Sequence, residues 1–396
     1  MYMKEIKKQL FSELQNGRMG KIVDTTFRNL IERLSPEGFL PESLTGYYKG
    51  EFPRSAGCYA LLMLENGRPE LGRLAISYVF DTVKALSLPR IPHVIGEGRS
   101  FIDPIDQIDG SAHNILGYAR LCIEAPDEDF EDKYYEYCRR EIISYYDFPY
   151  FYFNYAHATS PFASHRLGLI FNMQYEHDRE DRLWACFDMV TQSFVGAAGD
   201  AMLRLAEKRG DGELAEILRF RTKAHREGVE KYMTFDVEGK KLYMEMRLPD
   251  SNFGVPYSAL GFTNYGPIAA GWEGINANIL EATLDHIEKN VSYYDASSDS
   301  TILMQEYNPD GSLDMQTYGK AIAWMLEHQR LKGEFDKIYE WFKFFNYYHG
   351  NNDILCEMFY MKDGKWVFRD YGNGEQCIWF CMMLLRLRRE LEEELS

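Results

Sequence analysis

The sequence lacks paired cysteines, long apolar runs and an excess of basic residues. Its seven cysteines are an odd number without CxxC spacing, a pattern typical of reduced, buried thiols and not of a disulfide framework or a zinc site. No apolar stretch approaches the roughly 18 residues of a membrane-spanning helix, and no basic segment followed by an apolar region opens the chain. These absences predict a soluble, cytoplasmic protein without a metal site.

Acidic residues outnumber basic ones, with 61 Asp and Glu against 44 Lys and Arg, so that the formal net charge is −17. A chain with this charge repels the phosphate backbone of nucleic acids and anionic lipid surfaces. The predicted partner is therefore a neutral or cationic small molecule, and neither nucleic acid nor membrane is expected. Nothing in the composition indicates an oligomeric state.

Nucleotide-binding and metal-binding patterns are also missing. The chain has neither GxGxxG nor GxxxxGK[ST], and Gly96-Glu97-Gly98 is too short for a phosphate loop. Its nine histidines include no i, i+4 pair of the kind that binds zinc. No cofactor is therefore expected.

Glycine turns beside acidic residues are the clearest signals that are present. Gly67, Gly210 and Gly333 each close one apolar helical segment and open another, and they lie 143 and 123 residues apart. Each interval fits two helical hairpins if one hairpin takes about 65 residues, which gives about six hairpins in the whole chain. We predict an all-α (α/α)6 toroid that forms one domain over residues 1–396. The alternative is a helical solenoid with the same turns.

Apolar periodicity supports the helical prediction. It is strongest from Phe187 to Leu205, where large apolar and alanine side chains recur every three or four residues. Similar segments lie at 59–64, 115–122, 279–287, 321–326 and 378–391. Two short strand patterns, at 233–246 around Glu238-Gly239 and at 359–368 around Asp363-Gly364, predict β-hairpins in the loops.

The loops before the inner helices of such a toroid form the rim of its funnel, and four of them are rich in polar and aromatic residues. They are residues 51–57, 103–110, 175–184 and 353–359. Tyrosine and tryptophan rings suit stacking against sugars because they combine an apolar face with a polar edge, although many of them will simply pack helices together. Arg54 could hold a sugar hydroxyl through its fork of donors, or it could pair with one of the many acids.

Several segments resemble one group of enzymes. Phe52-Pro53-Arg54 resembles the segment that precedes an inner helix in processing glucosidase I and trehalases. The stretch from Gln107 to Ala112 is similar to an Asp-Gly turn of glucoamylases, and Asp178 to Arg182 resembles the segment with their general acid. Glu357, followed by the glycine-rich residues 372–379, resembles their general base. All these families are six-hairpin (α/α)6 inverting glycosidases.

The resemblance implies an inverting glycoside hydrolase that acts on a small oligosaccharide or glycoside, with Asp178 as general acid and Glu357 as general base. Glu176 and Glu180 are alternative acids, and the same segment could be a salt-bridged loop. The alternative for Glu357 is a buried structural acid. The Trp-Asp pair that follows Pro-Arg in these families is replaced here by Ser55-Ala56. The predicted substrate contacts are Arg54, Asp109, Glu176, Trp184, Trp272, Glu273 and Gln376.

In an inverting hydrolysis the protonated acid gives its proton to the leaving oxygen, while the ionised base draws a proton from the attacking water. The two carboxyl groups then stand roughly 6.5–9.5 Å apart. Trp272 and Glu273 are expected on a glycine-rich rim with the indole ring exposed, although Glu273 could instead favour a helix N-terminus. Two other functions remain open: a sugar epimerase or isomerase that uses histidines, and a noncatalytic carbohydrate-binding scaffold.

Overall fold

The computed structural model describes residues 2–105, 107–157, 168–172, 186–247, 260–308, 310–350 and 352–395, with the backbone alone over 148–157. Thirteen α-helices lie in these ranges: α1 Tyr2–Asn16, α2 Arg18–Glu32, α3 Pro53–Glu65, α4 Pro69–Ala85, α5 Ile108–Glu124, α6 Glu128–His157, α7 Met189–Arg209, α8 Gly212–Tyr232, α9 Gly266–Ala270, α10 Ala277–Val291, α11 Gly319–Lys332, α12 Phe335–Tyr348 and α13 Gly374–Leu395.

The strands are short and pair in antiparallel fashion. They are β1 Val94–Ile95, β2 Ile102–Asp103, β3 Phe187–Asp188, β4 Thr234–Val237, β5 Lys240–Tyr243, β6 Met246–Arg247, β7 Ser292–Asp295, β8 Ser300–Leu303, β9 Gln316–Tyr318, β10 Cys356–Lys362 and β11 Lys365–Tyr371. The order β11-β10-β9 forms a three-stranded sheet, and the other described strands pair two by two.

The described residues divide into two compact units. The terminal unit comprises Met1–Ser35, Pro41–Lys49 and His286–Ser396. The central unit comprises Pro36–Leu40 and Gly50–Asp285. That both belong to one domain over 1–396 stays a prediction.

Helices α3, α5 and α7 form the core of the central unit. They are buried on almost every side, whereas α8 buries only one stripe of residues, the pattern of a helix that covers a core. Helix α5 packs against both α3 and α7. Gly57 permits the close approach of α3 to α5, because a Cβ there would lie 2.4 Å from the backbone carbon of His113. Small residues therefore set the spacing of these inner helices.

The terminal unit is built around α11 and α13, which pack against each other. Residues 320–329 of α11 and 374–384 of α13 are continuously buried. Helices α1, α2 and α12 lie against this pair, and strand β10 packs at the start of α13. The sheet carries its middle strand, β10, next to the beginnings of both buried helices.

The predicted glycine turns at the helix ends are confirmed. Gly67, Gly210 and Gly333 each follow a helix with φ between 71° and 74°, the left-handed conformation that glycine adopts without a steric penalty. The two predicted hairpins are β4–β5 and β10–β11.

All seven cysteines are buried thiols, as the spacing predicted. None of the helices described has the length and apolar character needed to cross a membrane.

We expect Gly57→Ala to lower the free energy of unfolding by about 1–3 kcal/mol, because the added methyl group must push α3 away from α5. Gly212 is the matched control: it lies in the first turn of α8, where a Cβ would meet nothing within 4 Å. Gly212→Ala should be neutral or stabilising by up to about 1 kcal/mol. Urea unfolding of both variants measures the difference, and equal effects would contradict the tight contact between α3 and α5.

Candidate active site

Two predicted residues, Arg54 and Asp109, meet in the central unit. Helix α3 begins at Pro53, a favoured first helical residue, and this places Arg54 at its N-terminal end. Asp109 lies in the first turn of α5 and is fully buried. Its Oδ2 accepts a hydrogen bond of 3.1 Å from Nη1 of Arg54, whose side chain is only 11% exposed. The starts of α3 and α5 are thus joined by a buried ion pair.

Asn172 extends this pair into a buried polar network. Its Nδ2 lies 3.0 Å from Oδ1 of Asp109, 3.2 Å from Oδ2 of Asp188 and 2.9 Å from Oγ1 of Thr191. Asp188 caps α7, because its side chain accepts hydrogen bonds from the backbone and hydroxyl groups of Thr191. The backbone of Asn172 forms a β-bridge with Cys186. The network therefore connects the beginnings of three buried helices.

The sequence analysis missed Asn172 and Asp188. A signal was present for Asp188, since an Asp three residues before Thr191 at the start of a strongly periodic segment is typical of a helix N-cap. No local pattern marks Asn172, because its partners on α5 and α7 lie 63 and 16 or more residues away. Its role depends on how the helices pack.

The electrostatics of this network centre on Asp188. Burial away from water raises its pKa to about 7, and the charge of Asp109 adds to this rise. The hydrogen bonds from Thr191 and Asn172 act in the opposite direction but are outweighed. Asp188 therefore holds a proton up to a higher pH than an exposed carboxyl group does.

Glu357, the predicted general base, belongs to the terminal unit. It lies near the start of β10 and is 4% exposed. The hydroxyl of Tyr48 donates to its Oε1, and the Nε and Nη2 atoms of Arg369 lie 3.0 and 2.9 Å from its Oε2. Burial raises the pKa of Glu357, while the hydrogen bond from Tyr48 and the charge of Arg369 counteract that rise.

The guanidinium group that holds Glu357 lies against an aromatic ring. Arg369 lies over the ring of Tyr47, 5.1 Å from its centroid, and Tyr47 is 58% exposed. Burial and the neighbouring Glu357 both raise the pKa of Tyr48, so its hydroxyl stays protonated and donates. Extending the predicted β-hairpin 359–368 by one residue pair brings Arg369 beside Met358 of β10, so a signal for Arg369 was present. No comparable signal pointed to Tyr48.

Gln376 lies in the first turn of α13 and is 5% exposed. Its Oε1 accepts a hydrogen bond of 2.7 Å from the backbone N–H of Lys320, at the start of α11. The neighbouring Glu375 forms a buried ion pair with the Lys320 side chain at 3.2 Å. Gln376 therefore ties together the beginnings of two buried helices, and its predicted contact with substrate stays a prediction.

The predicted exposure of Trp272 is wrong. Its ring is 4% exposed, stacks on His225 with centroids 5.2 Å apart, and fills the space left beside Gly196. Gly196 lies eight residues along α7 from Asp188, which is about 12 Å of helix. Glu273 next to this ring is exposed. The indole of Trp272 therefore packs on α7 beside Gly196, at a distance from the Asp109 network, because glycine at position 196 leaves room for it.

The remaining predicted site residues, Asp178, Glu176 and Trp184, lie outside the described residues, as does Glu180. Within the ranges that the structure covers, no group of three His, Cys, Asp or Glu side chains could hold a metal ion. The geometry available for the predicted site is therefore that of Arg54 and Asp109 in the central unit and of Glu357 and Gln376 in the terminal unit.

No family model and no curated protein matches the sequence. Solved structures do match in fold. A metal-independent α-mannosidase from Streptococcus pneumoniae, in complex with α-1,6-mannobiose, superposes with a TM-score of 0.68 at 12% identity, over 97% of this chain and 98% of its own. A bacterial glucoamylase with acarbose gives 0.68 at 11% identity, over 95% of this chain and 57% of its own.

A third similar structure is the GH63 mannosylglycerate hydrolase from Thermus thermophilus, with Tris and D-glycerate. It gives a TM-score of 0.59 at 14% identity, over 91% of this chain and 99% of its own. All three are six-hairpin glycosidases. At these identities the likeness demonstrates the fold, so the predicted all-α (α/α)6 toroid is confirmed.

We expect the pH dependence of stability to carry the signature of Asp188. Because its pKa is raised in the folded state, the native protein binds the proton more tightly than the unfolded chain, and this contribution to stability is lost as pH rises from about 4 to about 7. Asp188→Asn keeps an N-cap acceptor and removes that titration. Its free energy of unfolding relative to wild type should therefore increase across this interval in denaturant titrations.

Asp211, the N-cap of α8, is the matched control. Its pKa is lowered, chiefly by the hydrogen bond from the backbone of Leu214, so its contribution is present above the unfolded pKa and disappears as pH falls. Asp211→Asn should change the pH dependence with the opposite sign. The same sign in both variants would contradict the assignment of Asp188.

Proposed function

We propose that this protein is an inverting glycoside hydrolase that acts on a small, uncharged oligosaccharide or glycoside. The observation that carries the proposal is the buried carboxylate of Glu357, held by Tyr48 and Arg369, on a fold that the chain shares with glycosidases. A net charge of −17 favours an uncharged substrate over an anionic one.

Glu357 has the features that a general base needs. The charge of Arg369 favours the ionised form of the carboxylate, and Tyr48 holds the other oxygen through a hydrogen bond. A carboxylate has about four lone-pair sites, so two partners leave an acceptor for the proton of an attacking water. Burial raises the pKa of the group, and a stronger base takes that proton more readily.

The general acid in this proposal is Asp178, which resembles the acid of six-hairpin glycosidases through its four-residue spacing to Arg182. Glu176 and Glu180 are the alternatives on the same segment. The acid must stay protonated until it gives its proton to the leaving oxygen, and the neighbouring carboxylates would raise its pKa in that direction. No metal or other cofactor takes part in this mechanism.

Arg54, Asp109 and Gln376 are proposed to contact the sugar, together with Glu176 and Trp184. Paired guanidinium and carboxylate groups suit sugar hydroxyls, since a hydroxyl both donates and accepts a hydrogen bond. The predicted contacts of Trp272 and Glu273 have weaker support, because the indole ring is buried against His225. The cytoplasmic location and the single domain over 1–396 belong to the proposal as well.

A histidine-dependent epimerase is not favoured. His113, beside Asp109 on α5, uses Nδ1 in a bond with the backbone oxygen of Asp109 and stacks on Phe194 with centroids 3.6 Å apart. His225 is fully buried, and burial lowers its pKa to about 3. The ring of His225 is therefore not suited to exchange a proton with a substrate near neutral pH.

Replacement of Glu357 by glutamine tests the base. Glu357→Gln keeps the shape and removes the charge that polarises water, so kcat should fall by roughly 10²–10⁴, while binding of a glycoside measured by calorimetry persists. Glu327 is the matched control, because it too is a buried glutamate held by arginines, Arg330 and Arg386. Glu327→Gln should cost stability and leave kcat near that of wild type.

A second variant assigns the general acid, and NMR of the product assigns the stereochemistry. Asp178→Asn should slow hydrolysis of glycosides with poor leaving groups strongly, yet affect activated aryl glycosides or glycosyl fluorides much less. NMR of the first-formed sugar should reveal the anomer opposite to that of the cleaved bond. A retained anomer would reject inversion, and a fully active Glu357→Gln would reject this residue. Binding without any turnover would favour the noncatalytic scaffold.

Hydrolysis should survive exhaustive chelation. The proposed mechanism uses two carboxyl groups and water alone, so removal of divalent ions with EDTA should leave kcat/KM unchanged. Loss of activity that returns when Ca²⁺, Mg²⁺ or Zn²⁺ is added would contradict the mechanism. The same EDTA treatment can be applied to the Asp178→Asn variant, whose kcat/KM should also stay unchanged by it.

A further inference from the structure

A cavity of about 580 Å³ opens in the central unit between α5, α7, α8 and the residues that follow α9. Pockets of about 300–1,000 Å³ are the usual size for small ligands. Six charged side chains line it: Arg120, Glu124, Asp200, Arg204, Arg226 and Glu273. The other lining residues are small or apolar, so the chemistry of this cavity is that of its arginines and acids.

The cavity is separate from the network at Asp109. Arg120 lies 11 residues along α5 from Asp109, about 16 Å of helix, and Arg204 lies 16 residues along α7 from Asp188, about 24 Å. The same two helices therefore carry the candidate active-site network at their beginnings and the cavity near their ends. A ligand in the cavity would not touch Arg54 or Asp109.

Four of the six charged groups are paired with each other. Arg226 binds Asp200 at 2.6 Å, and Arg120 binds Glu124 through Nε and Nη2 at 2.6 and 3.1 Å. Arg204 and Glu273, by contrast, form no ion pair with any residue in the described ranges. The cavity thus offers one guanidinium and one carboxylate in addition to two pairs, and its formal charges cancel.

A second feature lies beside the cavity wall. The indole Nε1 of Trp272 is buried and has no hydrogen-bond partner among the described residues. A Cβ on Gly274 would lie 2.4 Å from that nitrogen and 2.6 Å from Nε of Arg226. Glycine at position 274 therefore leaves two N–H donors together, next to the lining residues Gly271 and Glu273.

We propose that this cavity is a second ligand site, which takes a neutral polyhydroxylated molecule such as a monosaccharide or a polyol. Each hydroxyl group both donates and accepts a hydrogen bond, so it can join a guanidinium N–H to a carboxylate oxygen. An anion such as phosphate would gain from the arginines but would be repelled by Glu124, Asp200 and Glu273. The balance of charges therefore favours the neutral ligand.

Fluorine NMR of protein labelled with 5-fluorotryptophan tests this site directly. The chain has six tryptophans, and Trp272→Phe identifies the resonance of Trp272. That resonance should shift and saturate as D-glucose, D-mannose or sorbitol is added to the full-length protein. It should do so equally in Glu357→Gln, because the cavity does not include the proposed base, and this result holds whether or not the protein hydrolyses glycosides.

Arg204→Met removes the unpaired guanidinium while keeping a long side chain, and Glu273→Gln removes the unpaired carboxylate. Both positions are exposed, so both variants should fold, and each should weaken binding by roughly tenfold, the effect of one lost charged hydrogen bond. Arg68→Met, at an exposed arginine on the turn before α4, is the matched control and should bind like wild type.

Three results would overturn the proposal. The Trp272 resonance could remain still at saturating concentrations of all three polyhydroxylated probes. It could move with inorganic phosphate and not with the neutral probes. Arg204→Met and Glu273→Gln could both bind as tightly as Arg68→Met.

Discussion

The carboxylate of Asp109 is the group on which the core of the central unit depends. One of its oxygens accepts from Arg54 at the start of α3, and the other accepts from Asn172, which also binds Asp188 and Thr191 at the start of α7. A buried charge is tolerated only when it is paired and hydrogen-bonded. Arg54 supplies the charge and Asn172 supplies the donor, so three helix beginnings are held at one point.

Two buried carboxyl groups show how the surroundings decide protonation. Asp188 lies near a second acid, and burial with that neighbour raises its pKa to about 7. Glu357 is also buried, but Arg369 lies 2.9 Å from its Oε2 and stabilises the charged form. Similar burial thus raises the pKa of both groups, but a neighbouring like charge adds to the rise at Asp188, whereas a cation opposes it at Glu357.

Small residues decide where the buried helices can carry larger groups. Gly57 lets α3 approach α5, Gly196 accepts the ring of Trp272, and Gly274 leaves the indole nitrogen beside Arg226. Helix α7 consequently contributes to two sites: Asp188 at its beginning belongs to the polar network, and Arg204 near its end lines the cavity. In the central unit, one set of helices therefore supports both the polar network and the charged cavity.

The sequence by itself determined the helical class, the turns at Gly67, Gly210 and Gly333, and the two β-hairpins. These features depend on neighbours within one or two turns of chain, through periodicity and left-handed glycine. The sequence also singled out Arg54, Asp109 and Glu357 through short segments that resemble those of six-hairpin glycosidases.

Tertiary structure alone decided which groups surround those residues. Asn172 meets Asp109 across 63 residues and Tyr48 meets Glu357 across 309, and no local pattern encodes such contacts. The glycine neighbours of Trp272 predicted an exposed ring, but the ring is buried because Gly196 on α7 leaves space for it. Side-chain burial and pKa depend on packing between distant segments, so they become visible only when the helices are assembled.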